Sequence, residues 1–119
     1  MATLTPTLTL TSTDITSDEL SFSVTDTLSI DKAVIPPSRA ILPGSSADLT
    51  LVAAATYTKA YIYLKNVDGS IAINVDFGSQ LAMTLGAGEF AFFPWDSSAN
   101  IVVAAASGTP TLEYAVFED

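Results

Sequence analysis

The stretch Lys59-Ala60-Tyr61-Ile62-Tyr63-Leu64-Lys65-Asn66, continued by Val67-Asp68-Gly69-Ser70 and then Ile71-Ala72-Ile73-Asn74-Val75-Asp76-Phe77, sets the class of the fold. Ala60, Ile62 and Leu64 alternate with Tyr61, Tyr63 and Lys65, and Ile71, Ile73, Val75 and Phe77 resume the alternation. A period of two puts one face of a strand in a core and the other outside, whereas a helix needs a period near 3.6. Asn66, Asp68, Gly69 and Ser70 supply turn chemistry between the two runs, so the segment predicts a hairpin.

The same grammar extends outward. Downstream, Leu81, Met83 and Leu85 alternate up to Gly86-Ala87-Gly88, and Glu89-Phe90-Ala91-Phe92-Phe93 reads as the returning strand, closed by Pro94. Residues 100–106 and 111–117 predict a last pair across Ser107-Gly108-Thr109-Pro110. Upstream, residues 19–25 carry Leu20, Phe22 and Val24, residues 27–33 carry Leu28 and Ile30, and residues 47–54 carry Leu49 and Leu51. Eight or nine short strands predict an all-β, antiparallel β-sandwich, jelly-roll-like, over residues 19–119.

Residues 1–18 stand apart as an extended N-terminal arm or edge strand. Leu4, Leu8 and Leu10 alternate with threonine around Pro6, and proline inside a strand keeps it from a central position. Two readings are open: an arm that adds to another subunit's sheet, or an edge strand of its own chain. Residues 34–44 read as a proline-rich connection whose Ile35, Pro36, Pro37, Arg39 and Ile41 either fold back over the end of the core or face another subunit.

Composition narrows the chemistry. Four Lys and Arg stand against 13 Asp and Glu, a formal charge of -9, so no nucleic-acid partner is expected, because a phosphate backbone needs clustered cations. Hydrophobic residues make up 49% of the 119, enough for a core without disulfides, which the absence of Cys forbids. No run approaches about 20 apolar residues and the N-terminus lacks the basic start and apolar stretch of a signal peptide, so no membrane association is expected. The chain is expected to be made and kept inside a cell, or carried out in an assembled particle.

Without His or Cys, the triads and zinc sites that use them are impossible. Asp76, Glu89, Asp96 and Glu113 are the carboxylates on or near predicted strands, and nothing in their spacing points to a converging pair, so no enzyme is expected. Neither Asp14-Ile15-Thr16-Ser17-Asp18-Glu19 nor Asp68-Gly69-Ser70 fits an EF-hand loop, and Gly86-Ala87-Gly88 lacks the Lys-Ser or Lys-Thr of a phosphate loop. No cofactor or metal is therefore expected. Alternation about Ala91 is read as placing Phe90 and Phe92 on the core face, leaving Phe93 and Trp95, with the outward Tyr61 and Tyr63, as interface aromatics. Together with Leu4, Leu8, Leu10 and the apolar residues of 34–44, these form the expected subunit or partner surface.

Two resemblances attach to these residues. Leu85-Gly86-Ala87-Gly88-Glu89-Phe90-Ala91-Phe92-Phe93-Pro94-Trp95 is similar to the glycine turn, strand and closing proline of cupin and jelly-roll barrels, but the metal-binding histidines of cupin enzymes are missing. Over residues 57–118, Lys59-Ala60-Tyr61-Ile62-Tyr63-Leu64-Lys65-Asn66, Gly88-Glu89-Phe90-Ala91-Phe92-Phe93-Pro94-Trp95 and Thr109-Pro110-Thr111-Leu112-Glu113-Tyr114 resemble small virion proteins of tailed bacteriophages. That resemblance implies a capsid decoration or cement protein, made in the host cytoplasm, bound as a homotrimer to the major capsid protein on the capsid exterior. A tail or fibre component and a carbohydrate-binding module are the alternative expectations.

Overall fold

Strands within residues 2–12 and 20–30 pair with one another. In a computed structural model, which describes residues 2–14 and 19–119 and only the backbone of 32–34, β1 (Ala2–Leu4) pairs with β4 (Leu28–Ile30) and β2 (Thr7–Ser12) with β3 (Leu20–Thr25). The register runs on from Ala2 opposite Ile30 to Ser12 opposite Leu20. Pro6 interrupts the ladder, and there the Asp26 amide donates to the Pro6 carbonyl at 3.2 Å. The result is one antiparallel ribbon.

Because partners across an antiparallel pair share a face, this register sorts the side chains by chemistry. Leu4 faces Leu28, Leu8 faces Val24 and Leu10 faces Phe22 on one side. On the other side Thr7 faces Thr25, Thr9 faces Ser23 and Thr11 faces Ser21, with the Thr7 and Thr25 hydroxyls 3.1 Å apart. The sequence reading placed 19–25 and 27–33 in the sandwich; strands β3 and β4 instead pair with the N-terminal strands. Period-two alternation is satisfied equally by either partner, so it could not choose between them.

The other eight strands form two four-stranded antiparallel sheets. They are β5 (Lys32–Ile41), β6 (Leu49–Val52), β7 (Ala60–Asn66), β8 (Ile73–Phe77), β9 (Gln80–Leu85), β10 (Phe90–Trp95), β11 (Ile101–Ala105) and β12 (Thr111–Glu118). One sheet has the order β10-β7-β12-β5, the other β6-β11-β8-β9. The pairs β8–β9, β7–β10, β6–β11 and β5–β12 are nested about the Gly78-Ser79 turn, as if one long hairpin had been rolled up; this is jelly-roll order. Gly78 opens that two-residue turn with φ 66°, a conformation that costs glycine little.

This topology corrects the predicted pairings. Strands β7 and β8 lie in different sheets, as do β9 and β10, and β11 and β12. Each of the three turns predicted to close a hairpin is an arch from one sheet to the other. Turn residues reverse the chain, but whether the return strand pairs or crosses the core depends on contacts distant in sequence. Residues 34–44 are likewise mostly strand rather than connection: β5 accommodates Pro36 and Pro37 because it is an edge strand and its pairing with β12 is irregular there.

The two sheets close over a shared core. Ala60, Ile62, Leu64, Leu112, Val116 and Trp95 come from one sheet, and Val52, Ile73, Val75, Ile101, Val103 and Leu85 from the other, none more than 5% exposed. Asn66 is the fully buried polar residue at one end. Its Nδ2 donates to the carbonyls of Ile71 (2.7 Å) and Leu85 (3.0 Å), and its Oδ1 accepts from the Asp68 amide (3.0 Å). One side chain thus ties the arch after β7 to the end of β9, satisfying groups that would be costly to bury unpaired.

Candidate docking surface

Alternation along β7 and β10 decides what the outer face of the β10-β7-β12-β5 sheet presents. Inward-facing Ile62 lies opposite Phe93 and Ala60 opposite Trp95, so Tyr61 falls opposite Pro94, Tyr63 opposite Phe92 and Lys65 opposite Phe90 on the outside. Strand β12 extends the rows, with Phe117 beside Tyr61 and Glu113 beside Lys65, and β5 adds Arg39 beside Glu113. The Tyr61 and Phe92 rings stack with centroids 6.1 Å apart and planes 11° apart. Phe90 is 61% exposed and Phe92 38%.

The expectation for β10 is therefore reversed. Trp95 is 5% exposed, its Nε1 donating to the Ala99 carbonyl at 3.1 Å. Phe93 is half-buried against the core, its ring 5.5 Å from that of Phe77. Both patterns fit the alternation: Phe93 and Trp95 pack between β10 and the opposite sheet, while Phe90 and Phe92 are left outside.

Polar groups fix the tyrosine row. Tyr63 Oη donates to Glu113 Oε1 at 2.8 Å, and Arg39 Nε donates to Glu113 Oε2 at 3.3 Å. Burial and the bonded carboxylate raise the Tyr63 pKa, while the Tyr63 hydroxyl and Arg39 hold the Glu113 carboxyl below its ordinary range. Lys59 lies 5.3 Å from the Tyr61 ring centroid and 3.6 Å from Asp119 Oδ2, which marks the other end of the face.

The base of the ribbon stands beside this face and leaves a groove of about 880 Å³ between them. Leu4, Leu8, Val24 and Leu28 line it from the ribbon, and Tyr61, Tyr63, Phe90, Phe92 and Phe117 from the sheet. Beyond the groove the ribbon stays uncovered: Leu10 and Phe22 are 47% and 48% exposed. Accordingly the radius of gyration is 15.7 Å, against about 13.5 Å for a compact chain of this length.

Of the expected surface residues, Leu4, Leu8, Tyr61 and Tyr63 meet at this groove, Leu10 continues the ribbon's apolar face, and Arg39 lies on the same sheet. Ile35, Pro36, Pro37 and Ile41 lie on edge strand β5, where Ile35 packs toward the core and Ile41 is 73% exposed. The sequence reading missed Phe90, Phe92, Phe22 and Val24. Pairing residues 2–12 against 20–30 would have revealed the last two, since only one register puts every leucine opposite an apolar residue and every threonine opposite a hydroxyl.

The carboxylates weighed for catalysis are spread out. Glu113 serves Tyr63 and Arg39, Glu89 accepts from the Gly86 amide, Asp96 accepts from Ser98, and Asp76 lies on β8 in the opposite sheet. Among the described residues no group of three or more acidic side chains could hold a metal ion. Residues 15–18 of the acidic stretch 14–19 lie outside the described residues. Asp68 closes its turn by accepting from the Ser70 and Ile71 amides. Comparison with protein-family models, with curated proteins and with solved structures finds no match.

Proposed function

We propose that this chain is a non-enzymatic structural protein of a virion, one that decorates or cements the exterior of a bacteriophage capsid by docking on the major capsid protein. The observation that carries this reading is the apolar ribbon face held in water beside an exposed aromatic sheet face. A contiguous apolar surface of this kind is a liability in a free monomer and useful in an assembly. The jelly-roll order is compatible with the proposal without implying it, since that architecture serves many functions. Net charge of -9 keeps the free chain soluble until a complementary surface is met. A homotrimer would strengthen such docking, because attachment of one subunit raises the effective concentration of the others.

Co-sedimentation of the purified protein with mature capsids of the phage that encodes it tests the proposal. Saturable binding, with no more sites than capsid symmetry allows, is the expected result. A folded protein that ignores capsids but enters purified tails would replace the capsid reading with the tail one. The glycan-binding alternative has lost its intended anchor, because Trp95 is in the core.

A further inference from the structure

Charge is segregated along this chain. Residues 1–31 contain Asp14, Asp18, Glu19, Asp26 and Asp31 and no Lys or Arg. All four cations follow, and all of them, Lys32, Arg39, Lys59 and Lys65, lie on or immediately beside the strands of the β10-β7-β12-β5 sheet. Lys65 and Arg39 share the outer-face row that contains Phe90, the most exposed aromatic of that face. Arg39 is paired with Glu113 and Lys59 with Asp119, which leaves Lys65, opposite Phe90, to meet the carboxylates of the acidic ribbon, while the ribbon's apolar face matches the aromatic one.

The molecule's own ribbon is poorly placed to satisfy its own sheet. Only Asp31 separates β4 from β5, its amide donates to the Glu118 carbonyl at 2.9 Å, and Ile30 beside it is 3% exposed. That anchored base holds the ribbon across the groove from the sheet, with its Leu10 and Phe22 half exposed beyond the groove.

We infer that the occupant of this face is a second copy of the chain: the outer half of one copy's ribbon, carrying Leu8, Leu10, Phe22 and Val24, seats on the Phe90, Phe92 and Lys65 side of its neighbour's sheet. The contact is head-to-tail, with ribbon meeting sheet, so it closes into a ring when the rotation between copies allows. It draws on the same exposed faces as the capsid reading but is tested separately, since self-association is read on the free chain and capsid binding by co-sedimentation.

The test is sedimentation equilibrium on the full chain with two double variants, Leu10→Ser with Phe22→Ser on the ribbon and Phe90→Ser with Phe92→Ser on the sheet, each checked for an unchanged melt. Wild type is expected to self-associate, and each double variant to do so about a hundredfold more weakly. An equimolar mixture of the two variants is expected to form heterodimers, since the ribbon variant keeps an intact sheet and the sheet variant an intact ribbon. A monomeric wild type, variants that associate as wild type does, or a mixture that stays monomeric would each overturn the inference. Binding of the monomer to another protein through these same residues would assign the face to that partner instead.

Discussion

The chain is built as two successive hairpins, and they treat their apolar faces in opposite ways. Residues 32–119 fold a long hairpin about Gly78-Ser79 and roll it, so that Ile62 and Leu64 on one sheet meet Val75 and Val103 on the other. Residues 2–12 and 20–30 make an equally regular ribbon, yet Leu10 and Phe22 meet no second layer. The same alternation of apolar and polar residues thus gives a core when the hairpin is long enough to close on itself, and a docking surface when it is not. A two-stranded ribbon alone is at best marginally stable in water, so the ribbon leans on its anchored base and on whatever covers it.

Breaking this contrast begins with the core. Leu64→Ala is expected to lower unfolding free energy by about 3 to 4 kcal/mol, the range for emptying a well-packed site, while Leu10→Ala should change it by less than about 0.5 kcal/mol. Urea titration of both variants makes the comparison, and equal losses would mean that the ribbon face is already covered. Asn66→Ala comes next at about 2 to 3 kcal/mol, because two carbonyls and one amide lose their partner at a buried site; calorimetry reads it as a lower melting temperature.

A finer test concerns the turn about which the larger hairpin rolls. Gly78→Ala should cost about 1 kcal/mol from the positive φ alone, since the nearest atom to an added Cβ is Ala99 Cβ at 3.8 Å. Gly69→Ala, where an added Cβ meets nothing within 4 Å and φ is not positive, should be close to neutral.

The smallest expected effect is on pH dependence. Amides of Ser70 and Ile71 hold Asp68 below its ordinary pKa, Ser98 does the same for Asp96, and Tyr63 does so for Glu113. A depressed folded-state pKa means that the unfolded chain binds protons more readily in acid. Stability from these groups is full above the ordinary carboxylate range and is lost as pH falls through their depressed values. Melting temperature measured downward from neutral pH should fall across that interval, and Asp68→Asn should flatten the slope.

Legibility in the sequence follows the range of the interaction. Strand positions such as those around Ile62, Ile73, Met83 and Leu112 are local, and alternation with turn residues placed them correctly. Pairing is not local. Asn66-Val67-Asp68-Gly69-Ser70 looks like a hairpin loop, yet Asn66 uses its amide to hold an arch, and its side-chain partner Leu85 lies nineteen residues away. Gly78-Ser79, the tight hairpin turn of the sandwich, is less conspicuous because a single glycine carries the signal. The candidate surface was half legible: Tyr61, Tyr63 and the leucines of 4–10 follow from alternation, whereas Phe90 and Phe92 exchanged places with Phe93 and Trp95.

By itself the sequence determined an all-β chain without thiol or imidazole chemistry, with an acidic, cation-free N-terminal quarter and strands that each have one apolar face. Only the tertiary structure decided which sheet each strand enters, which face of β10 is buried, and that residues 20–30 return to the N-terminal strands. Period-two alternation specifies that a strand has two unlike faces, but it is silent about what lies opposite them. That is settled by packing and register between segments as distant as Arg39 and Glu113, paired across β5 and β12.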